Sequence, residues 1–242
     1  MANHKCGHNH GHDCGHGERN HGHKSCVSLV PIFNHLEDEQ MEEITEVIRS
    51  KSFKKGEIIY RAGEQSDSLY IVSNGRIRIY RLSESGKEQL VRFLNPGDFT
   101  GELALFSEAV HEAYAQAAEK TEVCLITRAD LQKFLMKYPS ISLKLLEEFS
   151  NRLEQSEKQT TRVSTEKVET RLALFLAECI ESQGARPLEF TLPMSKRDLA
   201  SYIGTTPETI SRKLAEFEDA GYIRQKPQRR IEVLDLDGLL LV

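Results

Sequence analysis

Three cysteines and six histidines lie among glycines in residues 6–26, which read CGHNHGHDCGHGERNHGHKSC. Thiolates are the usual ligands of iron–sulfur clusters, whereas mixed thiolate and imidazole ligands suit zinc, nickel and copper. The stretch has almost no apolar residues, so it cannot bury enough surface to fold alone. We therefore predict that residues 1–27 form a leader that is disordered unless it binds a metal, with Cys6, Cys14 and Cys26 as candidate ligands.

A second stretch with chemistry-bearing residues is MSKRDLASYIGTTPETISRKLAEFEDAGYI, residues 194–223. Ser195, with an acidic residue three positions later, is typical of a helix start, and Gly204 is typical of the end of that helix. Thr206 followed by Pro207 predicts a second helix, and Gly221 lies just past its end. Two short helices joined by a glycine turn predict a helix-turn-helix.

The second of these helices has two chemically different faces. Its apolar residues share one side: Ile210, Leu214 and Phe217. Glu208, Ser211 and Arg212 lie about opposite, where an arginine can bridge both acceptors of a guanine and a carboxylate can accept from a cytosine amine. Residues 195–230 carry eight Lys and Arg against five Asp and Glu, which suits phosphate. We predict double-stranded DNA as the partner, with Thr206 and Thr209 assisting at phosphates.

The elements before this region are predicted to be an antiparallel β-roll followed by a long helix. Residues 28–138 contain short strands punctuated by glycine, and Asn74-Gly75 and Ser85-Gly86 are typical of hairpin turns. Residues 129–138 and 140–163 have helical spacing. Six positions follow alternating steps of three and four: Leu146, Phe149, Leu153, Ser156, Thr160 and Val163. This seam predicts that residues 139–163 form a dimerisation helix, whose polar middle makes the dimer contact weak. A helix that packs on its own domain would show the same pattern.

Residues 164–242 are predicted to form a winged helix-turn-helix domain. Residues 164–183 have an apolar helical face, on which Cys179 is expected to be a core residue. YIRQKPQRRIEVL reads as a hairpin, whose Lys226, Arg229 and Arg230 could contact the DNA backbone. The fold class is therefore α+β: a β-roll, a long helix and a winged helix-turn-helix.

Composition limits the class of protein and the cellular location that we expect. The 242 residues carry a net charge of −5 and five cysteines, an odd count without an apolar export signal, which favours metal or redox chemistry over disulfides. No apolar run is long enough to span a membrane, so we expect a cytoplasmic protein without a membrane partner. Residues for a nucleophile with its base, or for a phosphate-binding glycine loop, do not occur together, so we predict that the chain is not an enzyme.

The order of parts resembles the Crp/Fnr family of bacterial transcription regulators across residues 27–242. GELALF, residues 101–106, looks like the end of that family's effector pocket, and PETISR, residues 207–212, looks like its recognition helix. Glu-x-x-Ser-Arg is the pattern of the FNR branch, which implies a homodimer that reads a palindrome with TTGAT-like half-sites. The turn at residues 83–87 resembles a loop of the family that contacts RNA polymerase.

The resemblance also implies which effector controls the chain. Cyclic-nucleotide binders of the family place Arg and Ser about eleven residues after the pocket glycine, where this chain has Glu112 and Ala113. A carboxylate repels the phosphate, so control by a cyclic nucleotide is not expected. FNR proteins hold an oxygen-labile [4Fe-4S] cluster with three N-terminal cysteines and a distant one, here Cys124. The implied ligand set is listed in chain order: Cys6, Cys14, Cys26 and Cys124.

Other interpretations of the leader stay open. The family spacing is close to C-x2-C-x5-C, whereas this chain has C-x7-C-x11-C. Seven leader histidines favour zinc, nickel or copper instead: His4, His8, His10, His12, His16, His21 and His23. A thiol redox switch, a tail without function and a metal-storage role are further alternatives, and Cys124 could be a small buried hydrophobe.

Overall fold

The computed structural model describes residues 27–105, 109–183 and 188–242. The roll strands are Arg49–Phe53 (β1), Ile58–Tyr60 (β2), Gln65–Ser66 (β3), Ser68–Asn74 (β4), Ile77–Leu82 (β5), Glu88–Leu94 (β6), Phe99–Thr100 (β7), Ala109–Val110 (β8), Tyr114–Ala117 (β9) and Thr121–Thr127 (β10). A 3-10 turn occupies Glu102–Leu105. The helices of this half are Asp38–Val47 (α1), Arg128–Lys137 (α2) and Pro139–Thr165 (α3).

The roll consists of antiparallel sheets, as predicted. One sheet has the order β1-β10-β4-β7, a second has β2-β9-β5-β6, and β3 pairs with β8. The predicted turn at Asn74-Gly75 joins β4 to β5, and its glycine has φ +83°. A Cβ on Gly75 would lie 2.3 Å from the Lys120 carbonyl oxygen, so this turn requires glycine.

One apolar cluster joins the roll to the helices. It contains the first described residue, Val27, together with Phe33, Cys124 of β10, and Ile141 and Leu145 of α3. All of these side chains are buried. The chain segment before α1 is therefore packed between the roll and the start of the long helix.

The long helix α3 has both an inward and an outward apolar face. Leu146, Leu153 and Val163 of the predicted seam are exposed, at 62%, 61% and 43%. Phe149 differs, because it is half-buried and packs against the cluster of its own domain. The first half of α3 therefore lies on its own roll along one face and leaves a second face exposed, and a dimer contact along that second face stays a prediction.

The C-terminal half contains Val168–Gln183 (α4), Glu189–Thr191 (β11), Lys196–Ile203 (α5), Pro207–Asp219 (α6), Ile223–Lys226 (β12), Arg230–Val233 (β13) and Leu236–Leu240 (α7). The strands form one sheet in the order β11-β13-β12, which includes the predicted hairpin. The helix expected over 164–183 begins instead at Val168, because α3 continues to Thr165 and the chain is extended at Glu166. Among the described helices, none is both long and apolar enough to cross a membrane.

The two halves are in direct contact through β6 and α5. Leu90 of β6 is fully buried in the apolar cluster of the C-terminal half. The Ser201 hydroxyl of α5 accepts from the Leu90 backbone N–H at 2.6 Å and donates to the Glu88 carbonyl oxygen at 2.9 Å. The helix-turn-helix is thus attached to the edge of a roll sheet.

Candidate nucleic-acid interface and sensor sites

The position of α6 is set by local caps. Ser195 caps α5 by accepting from the Asp198 N–H at 3.1 Å, and Gly204 ends that helix in the left-handed conformation. Thr206 caps α6 by accepting from the Thr209 N–H at 3.3 Å, with Pro207 in the first turn. These are the caps that the sequence predicts, and they confirm a helix-turn-helix.

The two faces of α6 differ in burial as their residue types require. The buried side chains are Ile210, Leu214 and Phe217. Glu208, Ser211 and Arg212 are exposed, and 67% of the Arg212 side chain is accessible. Arg212 Nε lies 3.7 Å from Glu216 Oε1, a loose contact that leaves the guanidinium available. This face can offer a carboxylate, a hydroxyl and a guanidinium to one partner.

Two threonines lie at the start of the same helix. Thr206 is exposed and Thr209 is half-buried, and their hydroxyl oxygens are 3.2 Å apart. Hydrogen bonds from the Glu208 backbone and the Thr206 side chain hold the pKa of the Glu208 carboxyl below its usual range. Glu208 is therefore a charged acceptor at neutral pH.

In the wing hairpin, two of the three basic residues that could contact DNA form ion pairs within the chain. Lys226 Nζ lies 2.6 Å from Glu189 Oε2 and 3.1 Å from Glu232 Oε2. Arg230 Nη1 lies 3.1 Å from Glu189 Oε1. Arg229 occupies the turn with φ +61°. Sheet pairing places Glu189 opposite Glu232, so the cations stabilise a carboxylate pair that sequence reasoning missed.

A cavity of about 190 Å³ lies inside the roll, and we call it the roll cavity. Glu112 lines it and forms an ion pair with Arg81 at 2.5 Å. A carboxylate therefore does stand at the cavity, and its charge is paired with that of Arg81, which also lines it. His111, which sequence reasoning missed, also lines the cavity and stacks on Tyr60 with ring centroids 3.6 Å apart. Burial lowers the pKa of His111, and it raises the pKa of Tyr60 to about 12.

The cysteines fall into three groups. Cys6, Cys14 and Cys26 lie outside the described residues. Cys124 is 2% exposed on β10, opposite Ser50 and Ile71, and the Ser50 hydroxyl lies 3.8 Å from its sulfur. Cys179 is a buried core residue, as predicted, and burial raises its pKa to about 12. Within the described part of the chain, no three His, Cys, Asp or Glu side chains are grouped to hold a metal.

Comparison with known proteins gives two domain matches. Residues 50–138 match the model of a cyclic nucleotide-binding domain, and residues 170–241 match that of a Crp-like helix-turn-helix domain. The probable transcriptional regulator flp of Lacticaseibacillus casei is 31% identical over 215 residues, covering 89% of this chain and 96% of the relative.

Two further similarities extend over most of the chain. The anaerobic regulatory protein of Haemophilus influenzae is 32% identical over 218 residues, covering 88% of this chain and 84% of that protein. The solved structure of FixK2 from Bradyrhizobium japonicum has a TM-score of 0.68 and 29% identity, covering 80% of this chain and 96% of that one.

Proposed function

This chain belongs to the Crp/Fnr family of DNA-binding transcription regulators, and we propose that it reads an FNR-like palindromic site as a homodimer under the control of its cysteine-rich leader. The exposed face of Glu208, Ser211 and Arg212 on α6 carries the DNA part of the proposal, because its apolar opposite face is buried. Regulators with this helix-turn-helix are typically dimers. The exposed hydrophobic side chains of α3 supply a surface for the second copy.

The DNA part is tested by gel shift on a palindrome with TTGAT-like half-sites about one helical turn apart. Arg212→Ala should weaken binding by about 1–3 kcal/mol and relax selectivity at one guanine. Arg229→Ala, on the wing, is the matched control and should weaken all sequences alike. Equal loss on every sequence with Arg212→Ala would reduce Arg212 to a phosphate contact.

We propose an activating role through RNA polymerase, because the turn at residues 83–87 resembles in position a polymerase-contacting loop of the family. All five residues are exposed, and the turn is closed by a hydrogen bond from the Gly86 N–H to the Ser83 carbonyl oxygen at 2.8 Å. The loop is therefore an accessible and ordered surface. Lys87→Ala should reduce activation in a reconstituted transcription assay while leaving gel-shift affinity unchanged.

For the sensor, we assign Cys6, Cys14, Cys26 and Cys124 as ligands of a [4Fe-4S] cluster. In support, Val27, which directly follows Cys26 in the chain, and Cys124 are members of the same apolar cluster. The proposal places a sulfur from the leader and the sulfur of Cys124 in one site. Such a cluster, when bound, supplies a centre whose stability depends on oxygen and redox state. The relative named an anaerobic regulatory protein agrees with this role.

Anaerobic purification with iron, sulfide and zinc analysis tests the sensor. The proposal requires about four irons and four sulfides per chain. Cys124→Ser should remove them, whereas Cys179→Ser, in the core of the other domain, should retain them. A colourless protein loaded with zinc would instead favour the second candidate.

The second candidate is a regulator that responds to zinc, nickel or copper. Seven leader histidines, many in His-x-His spacing, support it, because imidazole with thiolate suits these metals. Replacing the seven histidines with glutamine, while keeping all cysteines, separates the candidates. Loss of metal-dependent DNA binding in this variant would favour the regulator that responds to zinc, nickel or copper. An unchanged iron content would favour the regulator with a [4Fe-4S] cluster.

A further inference from the structure

Four side chains of alternating charge connect α4 to the exposed face of α6. The series begins at Glu169 in the first turn of α4, where Glu169 Oε2 lies 3.4 Å from Lys213 Nζ. Lys213 Nζ also lies 2.7 Å from Glu216 Oε2. The other oxygen of this carboxylate, Oε1, lies 3.7 Å from Arg212 Nε. Glu216 therefore lies between two cations of α6, one of which is held by α4.

The inner part of this series is fixed in place. Lys213 is 20% exposed, and Glu169 is half-buried beside it. A hydrogen bond to Glu216, together with the charge of Glu169, raises the pKa of Lys213. Lys213 is therefore a charged group that is already paired with two carboxylates. It serves as an anchor for Glu216 and not as a free cation for a phosphate.

The outer part of the series concerns how Arg212 is presented. Arginine carries five N–H donors, and readout of guanine uses two of them. Glu216 lies beside Nε of Arg212, which leaves the two terminal nitrogens for the O6 and N7 acceptors of a guanine. A long side chain loses rotamer freedom when it is fixed on a ligand, and a carboxylate that restricts it beforehand lowers this cost.

The carboxylate of Glu216 also acts differently on right and wrong sequences. An exposed ion pair contributes little in water, but contact with DNA excludes water and increases the attraction between its charges. The same carboxylate repels phosphate oxygens, so it opposes poses in which Arg212 pairs with the DNA backbone instead of a base. Glu216 should therefore affect selectivity more than affinity.

We propose that Glu216 is a positioning residue, which presents the terminal nitrogens of Arg212 to a guanine. Lys213 and Glu169 hold Glu216 in the place where it does this. The inference rests on the proposed function, because it requires that Arg212 reads a base. It does not depend on which metal the leader holds.

The test measures fluorescence anisotropy of three labelled duplexes with the full-length protein, purified anaerobically with its bound metal. The duplexes are the palindrome with TTGAT-like half-sites, the same palindrome with adenine in place of the guanine, and a random sequence. Glu216→Gln keeps the shape of the side chain and removes its charge. It should reduce the preference for guanine over adenine about fivefold, and strengthen binding to the random duplex roughly twofold.

Two further variants make the result specific. Asp219→Asn removes the same charge from an exposed position about two turns beyond Arg212 on α6. It should strengthen binding to all three duplexes alike and leave the preference for guanine unchanged. Lys213→Gln releases Glu216 from its anchor and should reduce the preference about twofold. Loss of preference in Asp219→Asn equal to that in Glu216→Gln would mean that net charge alone is responsible.

The Arg212→Ala background separates positioning from direct contact. If Glu216 acts through Arg212, Glu216→Gln should cause no further loss of preference in that background. An equal loss in both backgrounds would show that Glu216 contacts the DNA itself, and the proposal would be wrong. Weaker binding of Glu216→Gln to every duplex would show a merely structural role, which far-ultraviolet circular dichroism would check.

Failure of this inference can be told apart from failure of the proposed function. If Arg212→Ala lowers the preference for guanine and Glu216→Gln does not, Arg212 reads the base without Glu216, and only this inference is wrong. If Arg212→Ala leaves the preference unchanged, Arg212 reads no guanine, and both are wrong.

Discussion

Glu102 and Arg152 join the roll to the long helix: Glu102 Oε1 lies 3.1 Å from Arg152 Nη1. Both side chains are less than 20% exposed. Arg152 also donates from Nη2 to the Phe99 carbonyl oxygen at 3.0 Å, and its guanidinium carbon lies 4.1 Å from the centre of the Phe99 ring. The 3-10 turn at the roll cavity and the helix with the exposed seam are therefore directly coupled.

Removing the Glu102 charge should destabilise the protein. Glu102 Oε1 also lies 3.3 Å from Arg92 Nη2, so Glu102→Gln would leave two partly buried arginines facing one another. We expect a loss of about 2 kcal/mol in the free energy of unfolding, measured by urea denaturation. Glu64→Gln breaks an exposed pair with Arg61 and should change the midpoint little. Equal midpoints for the two variants would contradict this account of the pair.

The helix-turn-helix could be read from sequence because its determinants are local. Ser195, Gly204 and Thr206 each act on backbone within a few residues, so their types alone predict where α5 and α6 begin or end. The faces of α6 follow from the helical period. This is why the exposed position of Glu208 and Arg212 could be predicted without the rest of the chain.

Other features required the tertiary structure. Phe149 lies on the helical period of the seam, but the docking of α3 on the roll turns it toward its own domain. His111 has no sequence signal, because its stacking partner Tyr60 comes from a distant strand. Arg152 and Glu102 likewise meet only through the fold. Periodicity identifies apolar faces, and residue types identify caps, but neither identifies what covers an apolar face.

Gly101 should tolerate substitution much less than Gly56. Both have positive φ, +88° and +86°, but a Cβ on Gly101 would lie 2.3 Å from the Ser68 carbonyl oxygen, whereas nothing lies within 4 Å of one on Gly56. Gly56→Ala should cost only the conformational strain of about 1–2 kcal/mol. Gly101→Ala should cost at least about 2 kcal/mol more, in thermal or urea unfolding. Similar losses would show that close backbone approach is unimportant at Gly101.

Stability should depend on pH through His111. Burial lowers the pKa of His111 in the folded protein, so below about pH 6.5 the unfolded chain binds the proton more readily. The free energy of unfolding should therefore fall as pH falls from 7 to 5, by at most about 1.4 kcal/mol per pH unit from this group. His111→Gln should show a shallower decline over this range in urea titrations. An unchanged slope would exclude His111 as the source.

Cys179 should be unreactive in the native protein. Burial, with a smaller contribution from the Glu178 charge, raises its pKa to about 12, so only about one thiol in ten thousand is ionised at pH 8. Iodoacetamide followed by peptide mass spectrometry should label Cys179 only after urea is added. Labelling in native buffer at the rate of a small-molecule thiol would show that α4 opens readily.

The polar middle of the α3 seam should limit how tightly two chains associate. Thr160 is exposed, and its hydroxyl donates to the Ser156 carbonyl oxygen at 2.8 Å, so an apolar residue there loses only a local hydrogen bond. Thr160→Leu should lower the dimer dissociation constant about tenfold or more, because each chain buries an added apolar side chain. Glu157→Leu places the same side chain at an exposed position off the seam and should have a much smaller effect. Sedimentation equilibrium measures both constants, and equal tightening by the two variants would mean that the subunits do not meet along this seam.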